Sequence, residues 1–420
     1  TLLANVRNAA GGSLRQLDSE ITRKRKLDTF DYTIVNPEKY NLKTQIEALD
    51  YMKELGFEVN PNYAYCENIE DVIKYLEIWE TKRKELDYDT DGVVIKVNEF
   101  DLYDKIGYTV KSPKWSIAYK FPAEEVETQV LNINFTVGRT GNITPLAILE
   151  PVMISGSLVQ KATLNNEDFC VDLDLRIGDY VLVRKAGEII PEVVSVNKTR
   201  RKEGLKPFEM IERCPVCNSL LSRRNNESSH YCLNKDCDGR KLASLIYFAS
   251  KPCMNIETLG EKLVEDLYNR GFIRSIIDIY NLEDKKEALL EIEGLGEKSV
   301  LTLLDNIKKS KEQSLDRLIT SLGIRFVGAK VSKILAKEFG SLDNLINASF
   351  NDLIIIRDIG DSIASSVLNY FVENIDFIRD LQSIGIDPKM EKQDTSQMIF
   401  SNKSIVLTGK LETMTREEAS

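Results

Sequence analysis

The chain has 420 residues, 42% of them hydrophobic and 29% charged, the composition of ordinary globular domains and not of a disordered or fibrous protein. That length implies two to four domains, and no apolar run reaches the ~18 residues that a membrane span needs. A formal charge of −10 excludes indiscriminate attraction to nucleic acid, although screening over about 10 Å lets local basic patches act on their own.

The opening segment, TLLANVRNAAGGSLRQ, lacks the long apolar stretch and cleavage pattern of a signal peptide. It also starts without Met inside a polar run, so a fragment of a longer chain is expected. Residues 1–122 mix helical spacing, as in LKTQIEALDYMKELG, with strands predicted at 92–97 and 116–121. In DGVVIKV, side-chain alternation sets Gly92, Val94 and Lys96 on one face. In SIAYKF it sets Ser116, Ala118 and Lys120 on one face. Each strand therefore presents a lysine beside small neighbours, which suits a phosphate pocket. A lysine that guards an edge strand against aggregation is the plainer alternative for Lys96.

From about 124 to 200 the pattern becomes short strands punctuated by glycine and proline: LNINFTVG, ITPLAILEPV, YVLVRKAG and EVVSVNK. A small barrel or sandwich is expected. Basic clusters at Arg23–Lys26, at 198–202 and at Arg223–Arg224 each read singly as solvated loops.

Cys214 and Cys217 form C-x2-C, and Cys232 and Cys237 form C-x4-C. Four thiolates complete a tetrahedral zinc shell with no open position, so a structural Zn2+ site is expected, its metal supplying stability that so short a segment cannot bury for itself. Seven cysteines used in this way fit a reducing compartment. His230, the only histidine, reads as a surface residue, and Cys66, Cys170 and Cys253 as buried apolar side chains.

The region 241–385 is strongly helical and repetitive. IETLGEKL, IEGLGEKS, IRFVGAKV and IRDIGDSI share I-x-x-[LVI]-G, with glycines Gly260, Gly296, Gly328 and Gly360. Each unit reads as helix, glycine hairpin, helix. The N–H groups that open the second helix lack intrahelical acceptors, so a backbone phosphate of DNA fits there without sequence readout. Lys262, Lys298 and Lys330 add charge two residues after their glycines, whereas the fourth unit carries Asp361 and Ser362 and is the weakest. A polar stretch, KMEKQDTSQ, then precedes a new strand, SIVLTG.

In this order the features resemble the bacterial NAD-dependent DNA ligases, on the motifs RNAAGGSLRQLD, DGVVIKV, WSIAYKFPAE, VGRTGNITPLAILEPV and RKAGEIIPEV. The resemblance implies a multidomain α+β chain. Its parts are the C-terminal portion of a nucleotidyltransferase (adenylation) domain of ATP-grasp-like ligase type at 1–122, an OB-fold barrel at 123–207 and a four-cysteine zinc finger at 208–240. A helix-hairpin-helix domain at 241–390 and the start of a BRCT domain at 400–420 follow. It further implies that Lys96 and Lys120 contact the nucleotide and that Arg7, Arg15 and Arg83 serve the nucleotide phosphate and the nick. By the same resemblance Asp91 is expected to assist a Mg2+ (or Mn2+) ion, and Arg139 and the hairpin residues are expected to touch DNA. The implied cofactors are NAD, Zn2+ and Mg2+; the implied partner is nicked duplex DNA, bound by a cytoplasmic, nucleoid-associated monomer with no membrane contact.

The implied reaction passes AMP from NAD to an enzyme lysine, then to the 5′-phosphate at a nick, from which the 3′-hydroxyl displaces it. The family's K-x-D-G lysine motif and nicotinamide-binding domain do not occur in the 420 residues, so self-adenylylation is not expected of the chain alone. NVRN stands for the usual NPRN, Asn165 for a common histidine and Thr258 for a common glycine, which affects fine geometry at Val6, Asn165 and Thr258. A non-catalytic DNA-binding scaffold with a decayed pocket is the competing reading. An ATP-dependent ligase or capping enzyme fits the zinc finger and hairpin repeat poorly.

Overall fold

A computed structural model describes residues 6–109, 112–186, 190–224 and 227–390, with side chains from residue 9 onward. The strand expected at SIVLTG and the BRCT start lie outside the described residues. Among the described residues two compact units emerge: those up to 134, with 146–165 and 169–208, form the first, and those in 135–145, 166–168 and from 209 to 390 the second.

In the first unit, the expected helix runs Gln45–Glu54. Thr44 accepts a hydrogen bond from the Glu47 N–H while the Glu47 carboxylate accepts from the Thr44 N–H, a reciprocal cap that fixes where the helix begins. Ala48, Leu49 and Met52 are its buried stripe. A second helix, Ile69–Lys82, buries Trp79 and is capped by Asn68.

The two predicted lysine strands are β1 (Gly92–Lys96) and β2 (Ser116–Lys120), and they pair antiparallel as a two-stranded ribbon. A Cβ on Gly92 would collide with the Tyr119 carbonyl, so glycine is required there by close backbone approach.

The barrel consists of β3 (Val126–Val137), β4 (Asn142–Ile154), β5 (Ser157–Thr163), β6 (Tyr180–Ala186) and β7 (Ile190–Val196). Their order is β3-β6-β7-β5-β4, and a β3–β4 pairing closes the ring, the five-stranded arrangement of an OB fold. Alternation is clean on β4, where Ile143, Pro145, Ala147 and Leu149 point inward. The strand SLVQKAT escaped sequence reading because only Val159 and Ala162 are buried along it. A register shift in the β4–β5 pairing, between Ile148 and Val152, further blurs its period.

In the basic cluster at 198–202, Lys198, Arg200 and Lys202 are exposed as expected of a solvated loop, and Arg201 is the exception. Arg201 is only 14% exposed and holds the fully buried Asp179 at 2.8 Å and Asp174 at 2.5 Å. Removing one member of such a pair strands a buried charge, so Arg201 is a structural clamp. Arg200 stacks on the Tyr180 ring and pairs with Glu127.

In the second unit, strands β8 (Leu221–Arg223) and β9 (His230–Cys232) form the cysteine ribbon, and β9 also pairs with Asn142 and Ile143 of β4. His230 is therefore not the surface residue expected: central in this small sheet, its side chain is only 17% exposed. Arg223, expected in a solvated loop, is tied to Asp168 and Glu167. Cys170 and Cys253 are fully buried as expected, whereas Cys66 is only half-buried.

From Leu245 to Ile386 one continuous apolar core runs through the helical array. Among the described residues no helix is long and apolar enough to cross a membrane.

Candidate functional site

The register of the lysine ribbon pairs Gly92 with Lys120, Val94 with Ala118 and Lys96 with Ser116. Directly opposed residues share a face, so both lysines project from the same side, at opposite ends of the ribbon. Their α-carbons are separated by four strand residues, roughly 13 Å at ~3.3 Å per residue. The cations thus bracket a surface instead of crowding one point.

At one end, the Lys120 ammonium meets Asp91 Oδ2 at 2.9 Å, and the Phe121 N–H donates to the Asp91 carbonyl at 3.0 Å. Arg83, at the end of the helix Ile69–Lys82, donates from Nη1 to the Thr90 carbonyl at 3.0 Å and lies 4.8 Å from the Phe121 ring centroid. Its Nε is buried without a partner. Three residues expected in the site, Arg83, Asp91 and Lys120, are therefore gathered at this end.

At the other end, the Lys96 ammonium donates to the Tyr32 carbonyl at 3.3 Å and sits 4.8 Å from the Tyr32 ring centroid. Burial lowers the Lys96 pKa below its ordinary 10.5. A cation held partly out of water, with one carbonyl and an aromatic face for company, is poised to gain from an added anion. Sequence reading missed Tyr32, which lies 64 residues from its partner lysine. Arg15 is exposed just beyond the helix Val6–Leu14. Arg7 lies within that helix, its side chain outside the described ones.

Mg2+ finds no preassembled cage, since among the described residues the four cysteines are the one group of three or more candidate ligands. Asp91 with waters and substrate phosphates would suit this ion, which binds through few protein carboxylates.

The sulfurs of Cys214, Cys217, Cys232 and Cys237 all lie within 4.8 Å of one another. Two of the spacings are 3.8 Å (Cys214–Cys237) and 3.5 Å (Cys217–Cys232). A tetrahedral shell with Zn–S bonds of about 2.3 Å requires sulfurs about 3.8 Å apart, so the donor set fits zinc. The Ser219 side chain beside Cys217 holds that thiol down to about 6, while burial pushes Cys232 up to about 12 and raises Cys237. The Cys217 thiolate forms readily, whereas Cys232 and Cys237 need a cation among them to ionise. Gly141 closes the site from the barrel hairpin: at φ +85 it brings its carbonyl to the Cys232 N–H at 2.8 Å, where a side chain would strike the Cys232 carbonyl. On the same hairpin Arg139 stacks 3.8 Å from the Tyr247 ring centroid, with Gly323 against it.

The helical repeat has one geometry used four times. Turns 256–259, 292–295, 324–327 and 356–359 each close with the last N–H donating to the first carbonyl, at 3.0–3.2 Å. Thr258, Gly294, Phe326 and Asp358 occupy the third turn position at φ +71, +89, +64 and +71. A type II turn wants glycine there, and only the second repeat supplies it. Sequence reading marked Thr258 as standing for a common glycine but did not extend the preference for positive φ to Phe326 and Asp358, although Gly294 hinted at it.

The next glycine in each repeat caps a helix: Glu261–Asn269, Glu297–Ser310, Ala329–Phe339 and Asp361–Glu373. Gly260, Gly296, Gly328 and Gly360 are extended, not left-handed, and a Cβ on any of them would meet nothing within 4 Å. Neither conformation nor packing within the chain demands glycine. What it leaves is bare helix N-termini open to an external acceptor. Lys262 and Lys298 are exposed, and Lys330 is held by Asp358 of the fourth turn at 2.9 Å, which keeps that carboxyl below its usual range.

Thr258→Gly is expected to raise the urea midpoint, worth about 1 kcal/mol, by relieving a β-branched residue at positive φ. Equilibrium unfolding monitored by circular dichroism checks this. Asn165, at φ +56, is expected to gain little from the same change, because asparagine tolerates that region.

The fold and sites define a class: a lysine-bearing ribbon followed by an OB barrel, a four-cysteine ribbon and tandem helix-hairpin-helix units. Family models described as NAD-dependent DNA ligase adenylation domain and NAD-dependent DNA ligase OB-fold domain match residues 1–124 and 127–205. A SAM-like helix-hairpin-helix tandem matches 253–309 and a helix-hairpin-helix motif 317–376. The chain is 48% identical to the DNA ligases of Macrococcus caseolyticus and Acholeplasma laidlawii over its full length, covering 64% of each. It is 46% identical to that of Bacillus subtilis over 99% of the chain and 63% of the relative. The chain belongs to the NAD-dependent DNA ligase family and spans about 64% of the length of these relatives.

Proposed function

We propose that the chain is the nucleotide- and DNA-handling part of an NAD-dependent ligase that joins a 3′-hydroxyl to a 5′-phosphate at a nick in duplex DNA. The observation that carries this reading is the ribbon register, with Lys96 and Lys120 on one face and Arg83 and Asp91 gathered beside Lys120. A pure scaffold has no use for a half-buried cation such as Lys96. On this reading Lys96 and Lys120 hold the AMP phosphate as charge shifts between bridging and non-bridging oxygens, and Arg83 and Arg15 steady the phosphates at the nick. A bound Mg2+ would neutralise phosphate charge, with Asp91 among its ligands.

The domain limits are assigned as 1–122, 123–207, 208–240 and 241–390. The OB barrel with Arg139, the zinc ribbon, and the hairpins with Gly260, Lys262, Gly296, Lys298, Gly328 and Lys330 grip the duplex backbone. Such binding ignores sequence and weakens steeply with salt.

The test is strand joining by the full-length protein on a fluorescent nicked duplex. NAD is expected to support joining and ATP not, and Lys120→Ala to abolish joining while duplex binding persists. Binding without joining by the parental protein would instead favour the scaffold.

A further inference from the structure

The four turns share one backbone but not one chemistry. The first carries Glu257 at its tip and Glu261 as the first helical residue, the second Glu293 and Glu297, the fourth Asp358 and Asp361. A carboxylate at the first helical position competes with a phosphate for the positive end of the helix and so weakens, without closing, that site. The third turn carries no acid of its own: Arg325 and Phe326 stand at the tip, Ala329 opens the helix and Lys330 follows, the two cations being paired with Glu227 and Asp358 from elsewhere.

Phe326 is the unusual residue. It is 54% exposed, at a φ of +64 that a bulky side chain rarely adopts, where the second repeat has glycine. The Arg325 guanidinium lies 4.6 Å from its ring centroid and is fixed in turn by Glu227 at 2.6 Å. The flanking Ile324 and Val327 are buried, so the turn is anchored while the ring faces solvent. A strained, exposed aromatic on a rigid support beside a bare helix N-terminus contributes nothing to the core.

We propose that Phe326 is an apolar wedge that enters the groove of duplex DNA and partly unstacks a base step, with the third hairpin as the principal point of entry. The inference rests on the reading that the hairpins bind duplex DNA, and adds which hairpin leads and how. Apolar side chains set between base steps are an established way for groove-binding proteins to bend a duplex. The helix beginning at Ala329 offers its N–H groups to the neighbouring phosphate.

The experiment uses the full-length protein and a nicked duplex carrying 2-aminopurine, with fluorescence for unstacking, anisotropy for affinity and thermal melting for stability. Phe326→Gly relieves the positive φ, so its melting temperature is expected to rise. Affinity is expected to fall about tenfold, as for loss of one stacked base contact. The rise in 2-aminopurine fluorescence seen with the parent is expected to vanish, and Phe326→Leu to retain part of it. Gly328→Val separates the two readings. Weak binding by Gly328→Val with parental affinity and fluorescence in Phe326→Gly overturns the wedge and leaves the hairpin reading standing. Parental binding by both variants overturns both readings.

Discussion

Lys96→Ala is expected to slow adenylyl transfer about 10²–10³-fold, the usual cost of losing one preorganised charge where charge develops, with duplex affinity changed less than about twofold. The ammonium lies against Tyr32 and is partly withdrawn from water, so its interaction with a phosphate is less screened than that of a surface lysine. Arginine is expected to rescue only in part, since its planar fork does not reproduce a point charge in a confined space.

The pH dependence follows from the same burial. On the proposed role the protonated form does the work, and since its pKa lies below 10.5, activity is expected to fall as pH rises through that lowered value. Lys96→Arg, whatever its rate, is expected to lose this alkaline limb. For stability the sign is opposite. The unfolded chain holds the proton more tightly, so folding gains between the lowered value and 10.5, and Lys96→Met is expected not to lower the melting temperature at neutral pH. Single-turnover nick sealing across pH, beside a binding titration, checks the catalytic part. Parental sealing by the alanine variant, accompanied by aggregation, would return Lys96 to the role of an edge guard.

Removing the zinc site is expected to have the largest structural effect. Structural zinc contributes about 10–16 kcal/mol in small finger peptides, as much as the whole stability of a typical domain. Cys232→Ser is expected to abolish zinc binding and melt β8 and β9, releasing the pairing of Tyr231 and His230 with Asn142 and Ile143. Duplex affinity should weaken, while the lysine ribbon, which lies in the other unit, keeps its nucleotide affinity. Because burial holds the Cys232 and Cys237 thiols above their ordinary value, binding must displace their protons, and zinc affinity is expected to fall as pH is lowered. Metal analysis of the purified protein and thiol titration in native buffer provide the check. Protein without zinc whose four thiols react freely would refute the site.

Much of this was legible in the chain itself. Alternation placed Lys96 and Lys120 on their strand faces, because strand periodicity is local and needs no knowledge of the partner. The two cysteine pairs announced the four-sulfur cluster that could hold a metal, since ligand spacing is chemistry written in one dimension. The I-x-x-[LVI]-G repeat gave four hairpins, its Ile and [LVI] positions packing inward and its glycine falling each time at a helix start.

Tertiary structure decided what depended on distant partners. Only pairing could show that the two lysines share a side yet stand at opposite ends, because register is a relation between strands. Tyr32 beneath Lys96, Asp179 beneath Arg201 and the burial of His230 arise from contacts across tens of residues, which no local pattern carries. The same holds within the turns: only Thr258 was marked in the sequence, as standing for a common glycine, while Phe326 and Asp358 read as ordinary residues. Their positive φ comes from the packed helices on either side, which force the bend whatever residue stands there.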